Sequence, residues 1–432
     1  MTTPRWRGPA LAAGAAAACF LPVLRHGFVN WDDDVVLSHP SLGSLDPRWM
    51  LTSVYSATWQ PLTWLVDSSL VAAFGRAPAV FHTANLALHC AASALLFLVA
   101  RRLYALACVP RARAETAALF AALLLAVHPL SAEPAAWVSA KGDLLSAVFF
   151  LGAVLAYLSG ALDARRRGLV FALFVLSCLA RWKGALLPAA LMILDEYPLR
   201  RRAPAEKVPF LAVSAAVVAA NALAKSRAYG YAGALRPLEA GAGLVLFATK
   251  WLAPVKLLPV YEVGAGAGVW PLLGAAALTG GLVLLRRRRP ELLAAWAFFC
   301  AALAPVLLFS APGEPLALHD YHAYLACAGF AALAGAGLAR VPAAGWLLVA
   351  GLAFGARAQA LVWRDSETLW RATLAKAPAS PHALFRLSLE LQRQGRFEEA
   401  LVPAEKLYAL DERRGRSVLE AARAGVAASA GR

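Results

Sequence analysis

Three consecutive carboxylates, Asp32, Asp33 and Asp34, stand in "HGFVNWDDDVVLSHPSL" (26–42), directly after the first apolar segment of the chain. Like charges this close repel, which raises the pKa of at least one of them. A carboxylate tuned in this way can remove a proton from a bound group or receive a cation. The alternative is a solvated loop. A second unusual placement is "CLARWKGALLP" (178–188), where Arg181 and Lys183 interrupt apolar sequence. Charge at membrane depth is costly and marks a candidate functional site, although both side chains could instead snorkel to the headgroups.

The elements that must position these groups follow from composition. Hydrophobic residues make up 60% of the 432, charged residues 16%, and mean hydropathy is +0.59. Soluble domains carry about 25% charged residues, so the chain reads as an all-α polytopic membrane protein. The net charge of +16 does not point to nucleic acid, because the basic residues fall in short clusters between apolar runs: Arg101-Arg102, Arg165 to Arg167, Arg200 to Arg202 and Arg286 to Arg289. That is a topology signal. Apolar periodicity predicts about eleven spans, at 8–25, 79–100, 115–131, 143–162, 168–181, 184–199, 208–224, 268–285, 291–310, 321–339 and 342–360, with a re-entrant or surface-lying helix over 245–263. With Arg5 and Arg7 inside, the N-terminus is cytoplasmic and every basic cluster returns to that side. The loops 26–78, 128–142, 225–267 and 311–320 then share the outer face with Arg181 and Lys183. Trp31, Trp59 and Trp64 read as an interfacial aromatic belt, and His82 and His89 as packing histidines of the second span. The six cysteines lack paired spacing and read as small buried hydrophobes.

From "VWRDSETLW" onward the sequence turns charged and amphipathic. Leu387, Gly395 and Ala400 have the spacing of a tetratricopeptide helix pair. This divides the chain into a membrane domain, 1–362, and an extracytoplasmic helical segment, 363–432. One and a half repeats cannot stack alone, so the segment is expected to lean on the membrane domain or on a partner.

Six blocks in register carry a family resemblance: "FVNWDDD"; "WQPLTWLVDSSL" with "FHTANLALHC"; "VHPLSAEPAAWVSAKGD"; "LARWKGALLPAALMILDEYPLRR"; "DYHAYLACAG"; and "WRDSETLWRATLAKAP". From Phe28 to Asp411 the chain resembles bacterial relatives of the transmembrane and tetratricopeptide-repeat O-mannosyltransferases, of the glycosyltransferase-C superfamily. The resemblance implies a helical bundle around an outward-facing cavity, with horizontal helices in the first outer loop. It implies a polyprenyl-phosphate sugar, mannose among the candidates, as donor. A protein, lipid or glycan hydroxyl would be the acceptor, in a bacterial inner membrane. The family's acidic pair falls on Asp32 and Asp33, its His-Pro…Glu block on His128, Pro129 and Glu133, and a later basic residue on Lys141. A lysine of the short-helix block falls on Arg181, and the last acidic-aromatic block on Asp320 and Tyr324. The sequence departs from the family pattern at Tyr321, where many relatives carry Arg or His, and in its short repeat array, which offers little groove for a polypeptide.

For such a donor the protein must deprotonate an acceptor hydroxyl and stabilise the departing phosphate. Asp33 is the first candidate base and Asp32 the second, while Asp34 faces water. Arg181 and Lys183 suit the phosphate. His128, Glu133, Lys141, Asp320 and Tyr324 would position sugar or acceptor. A divalent metal bridging phosphate and carboxylates stays open, but no His/Asp spacing demands one. Two rival readings are a non-catalytic protein that binds or moves lipid-linked glycans, and a membrane anchor that displays a repeat docking module.

Overall fold

The computed structural model describes residues 6–54, 58–160, 163–229, 234–264, 266–307, 309–310 and 316–430. Arg5 and part of the 311–320 loop lie outside them. The described chain is helical, and each of the eleven predicted spans contains a helix. In order the helices are α1 (Arg7–Phe20), three short loop helices α2 (Asp33–Ser38), α3 (Pro47–Thr52) and α4 (Pro61–Phe74), then α5 (Pro78–Leu106), α6 (Arg111–Ala126), α7 (Ala132–Ala136) and α8 (Lys141–Leu158). They continue with α9 (Ala164–Ala180), α10 (Leu187–Glu196), α11 (Val208–Tyr229), α12 (Pro237–Leu252), α13 (Trp270–Leu285) and α14 (Pro290–Leu307). The last are α15 (Asp320–Ala326), α16 (Ala328–Leu338), α17 (Pro342–Val362), α18 (Ser366–Lys376), α19 (Pro381–Arg393), α20 (Phe397–Leu410) and α21 (Glu412–Ala430).

Among the described residues six helices are long and apolar enough to cross a bilayer, or eight if two bent pairs each count as one span. The bends are 52° between α6 and the Pro129–Ala136 segment and 60° between α15 and α16. The chain is an integral membrane protein. The other three predicted spans, on α9, α10 and α13, have 17, 10 and 16 residues, short of the roughly 20 that a perpendicular crossing needs. The predicted 245–263 helix is corrected in its bounds. It begins at Pro237 and stops at Leu252, two residues before Pro254, where Lys250 donates to the carbonyls of Val255 and Lys256. The chain then forms a short strand, β1 (Tyr261–Val263), antiparallel to Leu316–Leu318 in the segment that leads into α15.

Polar residues explain how α5 is oriented. His82, Asn85, His89 and Ser93 recur at helical spacing and are all buried, so this face looks into protein and the apolar remainder is free to meet lipid. Asn85 donates to the carbonyls of Trp137 (2.8 Å) and Pro134 (3.3 Å), holding the segment between α7 and α8 against α5. His89 bridges Ala126 O (3.1 Å) and the Tyr324 hydroxyl (2.8 Å), so it acts in packing, as does His82 on Gly27 O at 3.2 Å.

The helices α18 to α21 form successive hairpins. Asp365 and Ser380 cap α18 and α19 by accepting from Thr368 N and Ala383 N. Leu387 and Ala400 are buried between helices, and Ser388 Oγ donates to Ala400 O at 3.0 Å. Gly395 serves the turn rather than the helix crossing: its φ of +75° lies in the left-handed region, with no side chain packed on it. The segment leans on the membrane helices. Phe20, Trp31, Trp137, Trp363, Trp370 and Leu387 share one apolar core. The belt expectation is therefore corrected for Trp31 and Trp64, both of which are buried in the interior, and Trp59 donates from its indole to Leu51 O at 2.8 Å.

Candidate active site

Two close backbone approaches bring the charged groups together. At Gly142, on the first turn of α8, a side chain would press on Thr63, Ala180 and Gln60. Its absence lets Thr63 Oγ1 of α4 donate to Ala180 O at the end of α9 (2.7 Å). At Gly184 a Cβ would stand 2.5 Å from the Ser177 backbone. The turn Trp182–Leu186 thus folds back tightly on α9 and projects Arg181 and Lys183 toward α8.

Both cations meet Asp143. Lys183 Nζ lies 2.5 Å from Asp143 Oδ1 and Arg181 Nε 3.1 Å from Oδ2, while an Arg181 terminal nitrogen donates to Gln60 Oε1 at 2.6 Å. Asp143 was not singled out from sequence. Its signal was a carboxylate in the first turn of an apolar helix, where an unpaired charge would be costly. Lys183 also stands 4.3 Å from the centroid of the Tyr321 ring. The Tyr321 hydroxyl lies within electrostatic reach of Arg181, Asp143, Glu133 and Asp32. A small cavity in this cluster is lined by Asp143, Ser146, Lys183, Tyr321, His322 and Tyr324.

The aspartates divide. Asp33 is buried, and both its oxygens are used: Oδ2 accepts from Val29 N (3.1 Å), and Oδ1 accepts from Ser139 N (3.0 Å) and Ser139 Oγ (2.6 Å). This carboxylate fastens the first loop to the one-turn helix Val138–Ala140, whose Ser139 stands four residues before Asp143. Asp32 is partly exposed, and Arg386, Asp34 and Arg181 all act on it. Both carboxyls are pushed up to about 6. Burial is the first cause in each case, and the like-charge effect expected from clustering is secondary. Asp34 is exposed.

The remaining sequence candidates fall in three places. Glu133 Oε2 accepts from Tyr321 N at 2.8 Å, its other oxygen is buried without a partner, and Asp320 and Lys183 act on it. Asp320 accepts from the Tyr261 hydroxyl (2.8 Å), with Lys250 and Lys376 nearby. These two carboxylates border the site, as does Tyr324. His128 and Lys141 are held elsewhere. His128 accepts from Leu130 N (3.2 Å), donates to Trp251 O (3.0 Å) and stacks on that indole, so it ties the α6 end to α12. Lys141 is buried in an ion pair with Asp67 and faces the Phe81 ring at 4.5 Å, so its charge is already matched by a carboxylate outside the Asp143 cluster. Among the described residues, no group of three or more His, Cys, Asp or Glu is arranged to hold a metal ion. A separate cavity of about 310 Å³ lies away from this chemistry, between Tyr157, Arg167, Phe171, Leu191, Lys207 and Phe210.

No protein-family model matches the chain. Curated relatives do. Protein O-mannosyl-transferase Tmtc1 of Drosophila melanogaster is 31% identical over 182 residues, 36% of this chain and 20% of that protein. The human TMTC1 is 28% identical over 160 residues (34% and 17%), and human TMTC4 is 29% identical over 175 residues (37% and 24%). The chain thus spans about a fifth of the length of the relatives it matches. Among solved structures, that of ArnT from Cupriavidus metallidurans bound to undecaprenyl phosphate aligns with 96% of this chain and 77% of its own, at 16% identity and a TM-score of 0.47. The resemblance read from the six motif blocks holds: the chain is similar to the transmembrane protein O-mannosyl-transferases.

Proposed function

We propose that the protein is a membrane glycosyltransferase that moves a sugar from a polyprenyl phosphate to an acceptor hydroxyl, with inversion, at the outer face of the membrane. The observation that carries this reading is the meeting of groups from four distant parts of the chain: Arg181 and Lys183 pair with Asp143, Asp32 lies within electrostatic reach of Arg181 and Tyr321, and Asp143, Lys183 and Tyr321 line one small cavity. The relatives named as O-mannosyl-transferases support it.

Charge in the site matches the chemistry. Asp143 neutralises one of the two cations, so the trio keeps one net positive charge, suited to the single negative charge of a sugar phosphodiester. When the anomeric carbon–oxygen bond breaks, the departing phosphate becomes a monoester with charge approaching −2. Arg181 and Lys183 then bind it more strongly than the ground state, which is the condition for lowering a barrier. Asp32, rather than Asp33, takes the acceptor proton, because it alone of the buried-side pair has an oxygen free of the scaffold. Asp33 holds Asp32 in place through Ser139. Glu133 and Asp320 border the sugar. His128 and Lys141 brace the helices.

Purified protein is incubated with a panel of radiolabelled polyprenyl-phosphate sugars, and donor consumption is followed. Consumption of one donor, lost in Asp32→Asn and Arg181→Gln, supports the reading. Binding without turnover by every donor, unchanged in Asp32→Asn, favours instead a protein that binds or moves lipid-linked glycans.

A further inference from the structure

The C-terminal helices reach the site itself. Asn30 and Trp31, the two residues before Asp32, are gripped by α18 and α19. Asn30 N donates to Ser366 Oγ (2.9 Å), Asn30 Nδ2 donates to Arg386 O (3.1 Å), and the Trp370 indole donates to Asn30 Oδ1 (2.5 Å). Three residues before Asn30, Gly27 N donates to Arg364 O at 2.9 Å. The Trp31 ring packs edge-on to Trp370 at 5.3 Å, and the Arg386 guanidinium lies 5.6 Å from its centroid. Lys376 and His382 complete the contact, bonding to Leu257 O (3.0 Å) and to the carboxylate of Glu262 in the Tyr261–Val263 strand (2.7 Å).

A module that only docked partners would need none of this. Its buried polar bonds would be to itself, and its cations would face outward. Instead every donor and acceptor of the Asn30 amide is spent on α18 and α19, at the residue pair that fixes where Asp32 stands. We propose that α18 and α19 are part of the catalytic apparatus: Arg386 is a positioning residue that, with the Asn30 clasp and its guanidinium over the Trp31 ring, holds Asp32 in its reactive place. The inference rests on the reading of Asp32 as the base.

The groups acting on Asp32 come from several elements. Arg386 of α19 and Arg181 after α9 favour its charged form, Asp34 of α2 opposes it, and Tyr321 of α15 and the adjacent Asp33 sense its charge. Removing Arg386 takes away the first of the two cations, so the Asp32 carboxyl should titrate higher.

The experiment uses the full-length chain with Arg386→Gln and Arg386→Lys. Asp32 ionisation is read by pH-dependent carbodiimide labelling and peptide mass spectrometry, which needs no turnover. The midpoint near 6 is expected to rise by about half a unit or more in Arg386→Gln and to return in Arg386→Lys. In the transfer assay, kcat is expected to fall about tenfold with donor KM unchanged. A midpoint that stays put in Arg386→Gln overturns the inference. Trp370→Phe, which removes only the indole donor to Asn30, serves where Arg386→Gln does not fold: an unchanged kcat there overturns it equally. If the wild-type protein consumes no donor, the glycosyltransferase reading fails, while the labelling midpoint still decides whether Arg386 governs Asp32.

Discussion

Replacing Asp32 and Asp33 one at a time by asparagine separates base from scaffold. At Asp33 the change has two opposing consequences. The amide oxygen can still accept from Ser139, but its NH₂ then faces the Val29 N–H, donor against donor, where Oδ2 accepted at 3.1 Å. One mispaired buried donor costs about 1–3 kcal/mol. Against this, the native carboxylate is ionised at pH 7 although burial has raised its pKa from 3.8 to about 6, a penalty of ~3 kcal/mol that the neutral amide does not carry. The two nearly cancel. Asp33→Asn is therefore expected to fold with a stability change within about 2 kcal/mol and to keep measurable transfer. Asp32→Asn should fold equally well, since no scaffold bond is lost, and should lose about 10²- to 10⁴-fold in kcat, the usual contribution of a general base. The pH profile adds a check. A base works only when ionised, so kcat/KM should be full above pH 7 and fall with unit slope as pH drops through about 6. The assay is donor consumption in detergent or nanodiscs, with thermal unfolding in parallel. A folded Asp33→Asn protein as inactive as Asp32→Asn, or an Asp32→Asn protein at wild-type rate, would refute the assignment.

Other consequences follow from the same geometry. Lys141→Met alone leaves Asp67 buried without its cation and should cost about 3–5 kcal/mol, seen as a drop in unfolding temperature, whereas Lys141→Met with Asp67→Leu should recover most of it. Gly184→Ala places a Cβ against the Ser177 and Cys178 backbone and should destabilise by about 1–3 kcal/mol, with a raised donor KM because Arg181 and Lys183 are displaced. Asp143→Asn frees both cations from their shared anion. It should tighten inhibition by the polyprenyl-phosphate product about tenfold or more at low salt, and a product affinity that stays the same or weakens would contradict the phosphate-site reading.

How much of this was legible in the chain depends on the range of the physics involved. Apolar runs and Arg clusters are local quantities, and they located the helices, because a bilayer imposes its thickness on any segment that enters it. They also flagged Arg181, Lys183 and the aspartates, since charge stands out against apolar neighbours. The bent α6 and α15 regions were visible only as spans, because whether an apolar stretch stays straight depends on what packs around Pro129 and Cys327. The length of α12 was misjudged for a similar reason: an Ala- and Gly-rich start (Glu239 to Gly243) looks like loop until neighbouring helices bury it.

The sequence by itself determined the membrane class, the helical elements and the short list of groups able to do chemistry. Only the tertiary structure decided which of those groups are free to act. Asp33 is spent on Ser139, 106 residues away, and Lys141 on Asp67, 74 residues away, while Asp143 is drawn from obscurity by Lys183, 40 residues on. Whether a buried charge is a brace or a reagent depends on its partner, and partners so distant leave no trace in local spacing.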